Sequence, residues 1–92
     1  MMAQEEPYFL YDETEDTQTR YVSFVGESNR FDLAIVSTDR FYGKKLVLDI
    51  QSNRFAVIGA DDLDEPGYLE HAYKVSEEEA KELKDFLYQI VL

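Results

Sequence analysis

Three arginine residues in this sequence are each followed directly by phenylalanine. The tetrapeptide Ser-Asn-Arg-Phe occurs at 28–31 and again at 52–55, and Arg40-Phe41 repeats the pair. Guanidinium groups bind carboxylates and phosphates through paired hydrogen bonds. If Arg30, Arg40 and Arg54 converge, they form a site for a small anionic ligand. The alternative is structural: each pair marks a turn that leads into a strand, where Asn tolerates the turn and Phe enters the core.

The loop over residues 39–45 combines charged residues with two aromatic rings. Its Gly43-Lys44 pair does not form a phosphate-binding loop, because Thr38 stands where the first glycine is required and Lys45 where Ser or Thr is required. The candidate residues for a protein contact in this loop are Arg40, Phe41 and Tyr42. An ordinary hairpin loop explains the same composition.

Catalytic and metal-binding chemistry has few residues to draw on. The chain has no cysteine and one histidine, His71, so thiol nucleophiles, disulfides and thiolate metal sites are excluded. None of the serines lies in a Gly-x-Ser-x-Gly elbow. Asp61 and Asp62 are adjacent carboxylates that point apart at a strand end, and no cleft is implied for acid–base chemistry. We therefore predict a protein that is not an enzyme, with no catalytic or metal site and no cofactor.

Charge is distributed unevenly along the chain. The formal net charge is −11, made up of −6 over residues 1–19, +2 over residues 20–54 and −7 over residues 55–92. Nucleic acids and anionic membranes attract basic surfaces, so neither is predicted as a partner. An acidic surface of this kind keeps a cytoplasmic protein soluble. The alternative is an acidic decoy that binds a nucleic-acid-binding protein.

Alternating apolar and polar residues predict five strands. They span residues 8–11, 19–25, 30–38, 45–50 and 54–60. The fifth is apolar on both faces, which predicts a central position in the sheet.

Two helical segments follow the strands. Ser76 is a favourable N-cap, and Glu79 three residues later completes a capping box. Apolar residues at helical spacing then predict an amphipathic helix over 76–91. Pro66 suits the first position of a helix and predicts a shorter helix over 66–74.

These elements predict an α+β fold in which an antiparallel sheet of about five strands carries the C-terminal helix on one face. Residues 1–92 are expected to form a single domain with a β-meander over 8–60, and residues 1–7 are expected to be disordered.

One helix can cover one face of such a sheet but not both. Val36, Val47 and either Tyr21 or Phe24 are expected to lie on the face away from the helix. That second face is therefore predicted to be partly apolar, and to be covered by the 66–75 segment or by another subunit.

Several runs carry a family resemblance. The sequence resembles a family of small acidic proteins from Firmicutes that is catalogued as a domain of unknown function. The residues that carry this resemblance are 20–24, 30–34, 47–55, 61–63 and 65–69. The resemblance extends from about Tyr8 to Val91. It implies a bacterial, cytosolic, single-domain protein, and it brings no activity, cofactor or catalytic residue.

The function predicted from these observations is a non-enzymatic protein-interaction or regulatory module of the bacterial cytosol. Its contact surface is expected to be the second sheet face or the loop of Arg40, Phe41 and Tyr42. Its partner is expected to be an unidentified protein. We also predict that the chain can form a homodimer. The alternatives are a binder of a small anionic ligand through the three arginines and an acidic decoy.

Overall fold

Four antiparallel strands form one sheet in the computed structural model, which describes residues 7–27 and 29–91. Each strand pairs with the next along the chain, in the order β1-β2-β3-β4. The strands are β1 (Gln18–Val25), β2 (Arg30–Ser37), β3 (Lys45–Asp49) and β4 (Arg54–Ile58). The α+β class and the antiparallel sheet are confirmed, but the count of five strands is wrong.

Helical elements occupy one turn inside the sheet and most of the chain after it. A 3-10 turn (Asp39–Phe41) joins β2 to β3, and three helices follow β4. These are α1 (Ala60–Leu63), α2 (Tyr68–Tyr73) and α3 (Glu77–Val91). The C-terminal helix is confirmed, and α2 lies within the predicted shorter helix.

The capping box predicted for α3 is present. The Ser76 hydroxyl accepts a hydrogen bond from the Glu79 backbone N–H at 3.1 Å, and the Glu79 carboxylate accepts one from the Ser76 N–H at 2.9 Å. Two N–H groups that lack partners within the helix are satisfied in this way, so the helix begins where the sequence indicates.

Two strand predictions are wrong. Residues 8–11 form no strand, because no neighbouring strand offers this segment a ladder of hydrogen bonds. The strand predicted over 54–60 is an edge strand rather than a central one. Its apolar residues on both faces reflect an outer sheet face that is itself apolar, not burial between two neighbouring strands.

The hydrophobic core lies between one face of the sheet and the helices. It contains three side chains of β2, one each of β3 and β4, and six from the helices: Phe31, Leu33, Ile35, Val47, Ile58, Leu63, Leu69, Tyr73, Ala80, Leu83 and Leu87. Val47 is fully buried in this core, so its predicted place on the far face is wrong. Because Val47 faces the helices, the β3 residues Leu46 and Leu48 face the other way.

The 66–75 segment does not cover the second face of the sheet. Leu69 and Tyr73 of α2 belong to the same core as Leu83 and Leu87 of α3. The buried Tyr73 hydroxyl donates a hydrogen bond to the Val47 carbonyl oxygen at 2.7 Å. All three helices therefore pack on one side of the sheet.

The choice between Tyr21 and Phe24 is settled by the register of β1 and β2. Phe24 is opposite Phe31, and its ring stacks between the rings of Phe31 and Phe86, with centroids 5.0 and 4.6 Å away. Tyr21 and Val36 lie on the far face, as expected. Residues 1–7 were predicted to be disordered. Of these, residues 1–6 lie outside the described residues, and Pro7 is exposed.

Candidate interaction surface

The sheet face opposite the helices carries two rows of mostly apolar side chains. Each row runs across the sheet and contains one side chain from each of the four strands. The register aligns Thr19, Val36, Leu46 and Val57 in the first row and Tyr21, Ala34, Leu48 and Phe55 in the second. Within residues 7–27 and 29–91, every helix packs on the other side of the sheet. We call these eight side chains the open face.

The side chains of the open face are most exposed on the two edge strands, β1 and β4. Tyr21 on β1 and Phe55 on β4 are 75% and 65% exposed. Between them, Ala34 is buried and Leu48 is half-buried. The small Ala34 side chain lowers the centre of the second row, so this row forms a shallow apolar groove with an aromatic ring at each end.

Asp32 forms a polar cluster at one end of the open face. Its carboxylate accepts hydrogen bonds from the Ser23 hydroxyl at 2.5 Å and from the Gln51 side-chain amide at 2.6 Å, and Arg30 lies 3.3 Å away. The Ser23 hydrogen bond lowers the pKa of Asp32 below its usual value, against the opposing effect of burial and with the help of Arg30 and Gln51. This cluster joins β1 and β2 to the turn after β3.

The three arginines of the predicted anion site do not converge. Arg30 begins β2 on the open side of the sheet, and strand alternation places Arg54, which begins β4, on the helix side. Arg40 lies in the 3-10 turn, beyond the opposite end of β2, a strand about 23 Å long. The register therefore removes the geometry that a shared anion site needs.

Arg40 is held by the chain that precedes β1. Its guanidinium lies 2.6 Å from a carboxylate oxygen of Glu13 and 2.6 Å from one of Glu15, and 5.2 Å from the centre of the Tyr11 ring. The Thr38 hydroxyl also donates to Glu15. That hydrogen bond, followed by the contribution of Arg40, lowers the pKa of Glu15 despite opposing desolvation.

The rest of the predicted loop site is split between the protein and the solvent. Phe41 is half-buried, whereas the Tyr42 ring is almost fully exposed. Tyr42 ends the 3-10 turn with a φ of 54°, in the left-handed region that few residues other than glycine adopt. Of the residues predicted for this loop, Tyr42 presents its side chain to the solvent, while Arg40 contacts its own chain.

Residues 7–17, which we call the arm, were not identified as a contact element from the sequence. The arm has no regular secondary structure, and residues 11–15 are the part that contacts Arg40 and Thr38. Tyr8 and Leu10 are 93% and 96% exposed, whereas Phe9 and Tyr11 are 73% and 66% exposed. The signal in the sequence was the aromatic run Tyr8-Phe9-Leu10-Tyr11, which has the composition of a strand. The four-stranded sheet does not include this run, so its apolar side chains remain exposed.

The acidic residues considered for catalysis have structural partners. Lys44 Nζ lies 3.0 Å from Asp62 and 3.4 Å from Asp61, and the Gly59 N–H donates to Asp62 at 2.9 Å. Burial alone would raise the pKa of Asp62, but the hydrogen bonds from Gly59 and Lys44 outweigh it and the pKa is lowered. His71 is exposed on α2.

The part of the chain that the structure describes contains neither a metal-binding cluster nor a membrane-spanning helix. Among the described residues, no group of three or more histidine or carboxylate side chains is arranged to hold a metal ion. In the same part of the chain, no helix has the length and apolar character needed to cross a membrane.

The sequence of the chain matches a known protein family. A model of the SAV0927-like family matches residues 10–89. The chain belongs to the SAV0927-like family. The SAV0927-like match covers all four strands and nearly all of α3, and it begins inside the arm at Leu10. The family description names no activity, ligand or partner, and none of the curated proteins compared with the chain matches it.

Proposed function

We propose that this protein is a non-enzymatic protein-interaction module of the bacterial cytosol, and that the open face is its contact surface. The observation that supports this most strongly is the pair of apolar rows left uncovered by the helices. Single exposed apolar residues are common on soluble proteins, whereas contiguous patches mark interaction sites. The open face is contiguous across all four strands.

The size and shape of the open face support a protein partner. Since an aromatic side chain contributes about 150–250 Å² of surface, Tyr21 and Phe55 together offer roughly 280 Å². Aromatic anchors of this kind dominate the energetics of protein interfaces. The groove between the two rings is shallow, and it suits a protein surface better than a small molecule, which needs a deeper cleft.

The chemistry of the remaining residues supports a non-enzymatic role. Asp32, Asp61 and Asp62 each take part in hydrogen bonds or ion pairs that hold secondary-structure elements together. The absence of cysteine and the net charge of −11 are consistent with a reducing cytosol, and the resemblance to Firmicutes proteins supports a bacterial source.

Affinity capture from lysate tests this proposal. The tagged 92-residue chain is compared with a face variant, Tyr21→Thr with Phe55→Thr, and with the control Tyr42→Thr, which removes an exposed aromatic ring elsewhere. We expect the wild-type chain and the control to retain the same protein at low and high salt, because apolar contacts tolerate salt. We expect the face variant to lose it.

Three outcomes would contradict the proposal in different ways. Loss of capture in Tyr42→Thr with retention in the face variant would move the contact surface to the loop. Capture of basic proteins that are released at high salt would favour an acidic decoy. Equal capture by all three chains would show that the open face makes no specific contact.

A further inference from the structure

We propose that residues 8–11 of one copy lie on the open face of a second copy, and that two chains exchange their arms reciprocally to form a homodimer. This inference rests on the proposed function, because it names the occupant of the contact surface. It follows from the exposure of the arm's apolar side chains, from the areas available and from the dimensions of the sheet.

The arm presents one apolar side to the solvent. Tyr8 and Leu10 are almost fully exposed, and they alternate with the less exposed Phe9 and Tyr11. The backbone bends at Leu10, so these four residues do not form a regular strand, and it is their exposure that distinguishes the two sides of the arm. Tyr11 contacts Arg40 in the same chain, so the side of the arm that carries Tyr11 faces its own protein. Tyr8 and Leu10 therefore point away from it.

The available areas favour arm exchange over direct packing of two open faces. Two open faces packed directly would bury roughly 560 Å² of Tyr21 and Phe55 surface in total, well below the roughly 1,200 Å² of the smallest standard interfaces. Tyr8 and Leu10 add about 350 Å² for each arm, given their exposure. A dimer with two exchanged arms therefore buries roughly 1,260 Å², at the lower end of the range of stable complexes.

The length of the arm also fits this arrangement. An extended run of four residues is about 13 Å long. A row of the open face crosses three strand spacings, about 14 Å. The arm is also anchored beside the 3-10 turn, at the end of the sheet where the first row lies.

Sedimentation equilibrium over a concentration series measures the self-association of the 92-residue chain and tests the inference. The arm variant is Tyr8→Ser with Leu10→Ser, and the matched control is Tyr42→Ser. Because the arm lies outside the core, unfolding curves should show that both variants are folded. We expect a wild-type dimer with a Kd in the micromolar range, a Kd raised about 100-fold or more in the arm variant, and a Kd within about threefold of wild type in the control.

A mixing experiment distinguishes reciprocal exchange from other dimers. The arm variant keeps an intact open face, and the face variant, Tyr21→Thr with Phe55→Thr, keeps an intact arm. Each alone should be monomeric at concentrations where the wild type is a dimer. Mixed in equal amounts, they should form a heterodimer through one arm and one face, weaker than the wild-type dimer.

Several results would overturn arm exchange. These are a wild-type chain that stays monomeric at the highest concentration, an arm variant that dimerises as tightly as the wild type, and variants that form no heterodimer when mixed. A monomeric wild type that still captures a different protein through the open face would overturn this inference and leave the proposed function intact. A wild-type chain that neither self-associates nor captures another protein would overturn both arm exchange and the proposed function.

Discussion

At the scale of single residues, polar side chains join elements that apolar packing brings together. The Tyr73 hydroxyl reaches the Val47 carbonyl from inside the core, and burial raises the pKa of Tyr73 so that the hydroxyl stays protonated and donates. At the other side of the sheet, Asp32 gathers donors from β1 and from the turn after β3.

The first prediction concerns the hydroxyl of Tyr73. Replacing Tyr73 with Phe should lower the free energy of unfolding by about 1–2 kcal/mol, because the buried Val47 carbonyl loses its donor while the apolar packing stays. Urea unfolding followed by circular dichroism measures this loss. Tyr42→Phe, which removes an exposed hydroxyl, is the control and should leave the midpoint unchanged; an equal effect in both variants would contradict the account.

The second prediction is a pH dependence of the arm. Because the pKa of Glu15 is lowered when the arm is docked, its contribution to docking is complete above the undocked pKa of about 4.5 and is lost as the pH falls through the lower docked value. The Tyr11 ring resonances should therefore move toward free-tyrosine positions under acid, before the sheet unfolds. In Glu15→Gln this early transition should be absent; its persistence would show that another group releases the arm.

At the scale of elements, the sequence predicted the positions of helices and strands better than the faces that they cover. The end signals of α3 are local, since Ser76 and Glu79 contact each other across one turn. The facing of β3 is not local. Leu46 and Leu48 are as apolar as Val47, so periodicity predicts two faces without indicating which of them the helices cover.

The same ambiguity explains what was predicted of the candidate surface. The strand pattern predicted a partly apolar second face with Val36, Val47 and either Tyr21 or Phe24, and of these Val36 and Tyr21 lie on it. The contributions of Leu48 and Phe55 were missed, because they depend on the tertiary packing that places β4 at an edge and buries Val47. The separation of the three arginines likewise follows from the strand register, which the repeated tetrapeptide does not reveal.

The third prediction concerns the start of α3. Ser76→Ala should lower the free energy of unfolding by about 1 kcal/mol, since one half of the capping box is lost and the Glu79 N–H loses its acceptor. Chemical unfolding measures the change. Glu79→Gln is a suitable control, because glutamine can still accept from the Ser76 N–H, and its effect should be smaller. A larger loss in the glutamine variant would contradict the capping interpretation.

At the scale of the whole molecule, the chain is a sheet with helices on one side and an uncovered face on the other. Its arm begins with exposed apolar residues and contacts its own protein at residues 11–15. Acidic residues predominate before and after the segment over residues 20–54, which is slightly basic. This distribution places the excess negative charge outside the part of the chain that contains β1, β2 and β3. It gives the molecule a strong overall charge while the open face remains apolar.

The fourth prediction follows from the net charge of −11. Repulsion among like charges destabilises the compact state, and salt screens it. Raising sodium chloride from about 20 to about 200 mM should therefore raise the Tm by a few degrees, as followed by circular dichroism. A fall in Tm would show instead that surface ion pairs such as Arg40 with Glu13 outweigh the repulsion.

The most direct test of the open face as a contact surface is photo-crosslinking in living cells. A photoreactive phenylalanine analogue is placed at Phe55 in one chain and at the exposed Glu78 on α3 in another. We predict a discrete protein adduct from position 55, whether with a second copy or another protein, and no such adduct from position 78. Absence of an adduct at position 55, or equal adducts at both positions, would contradict it.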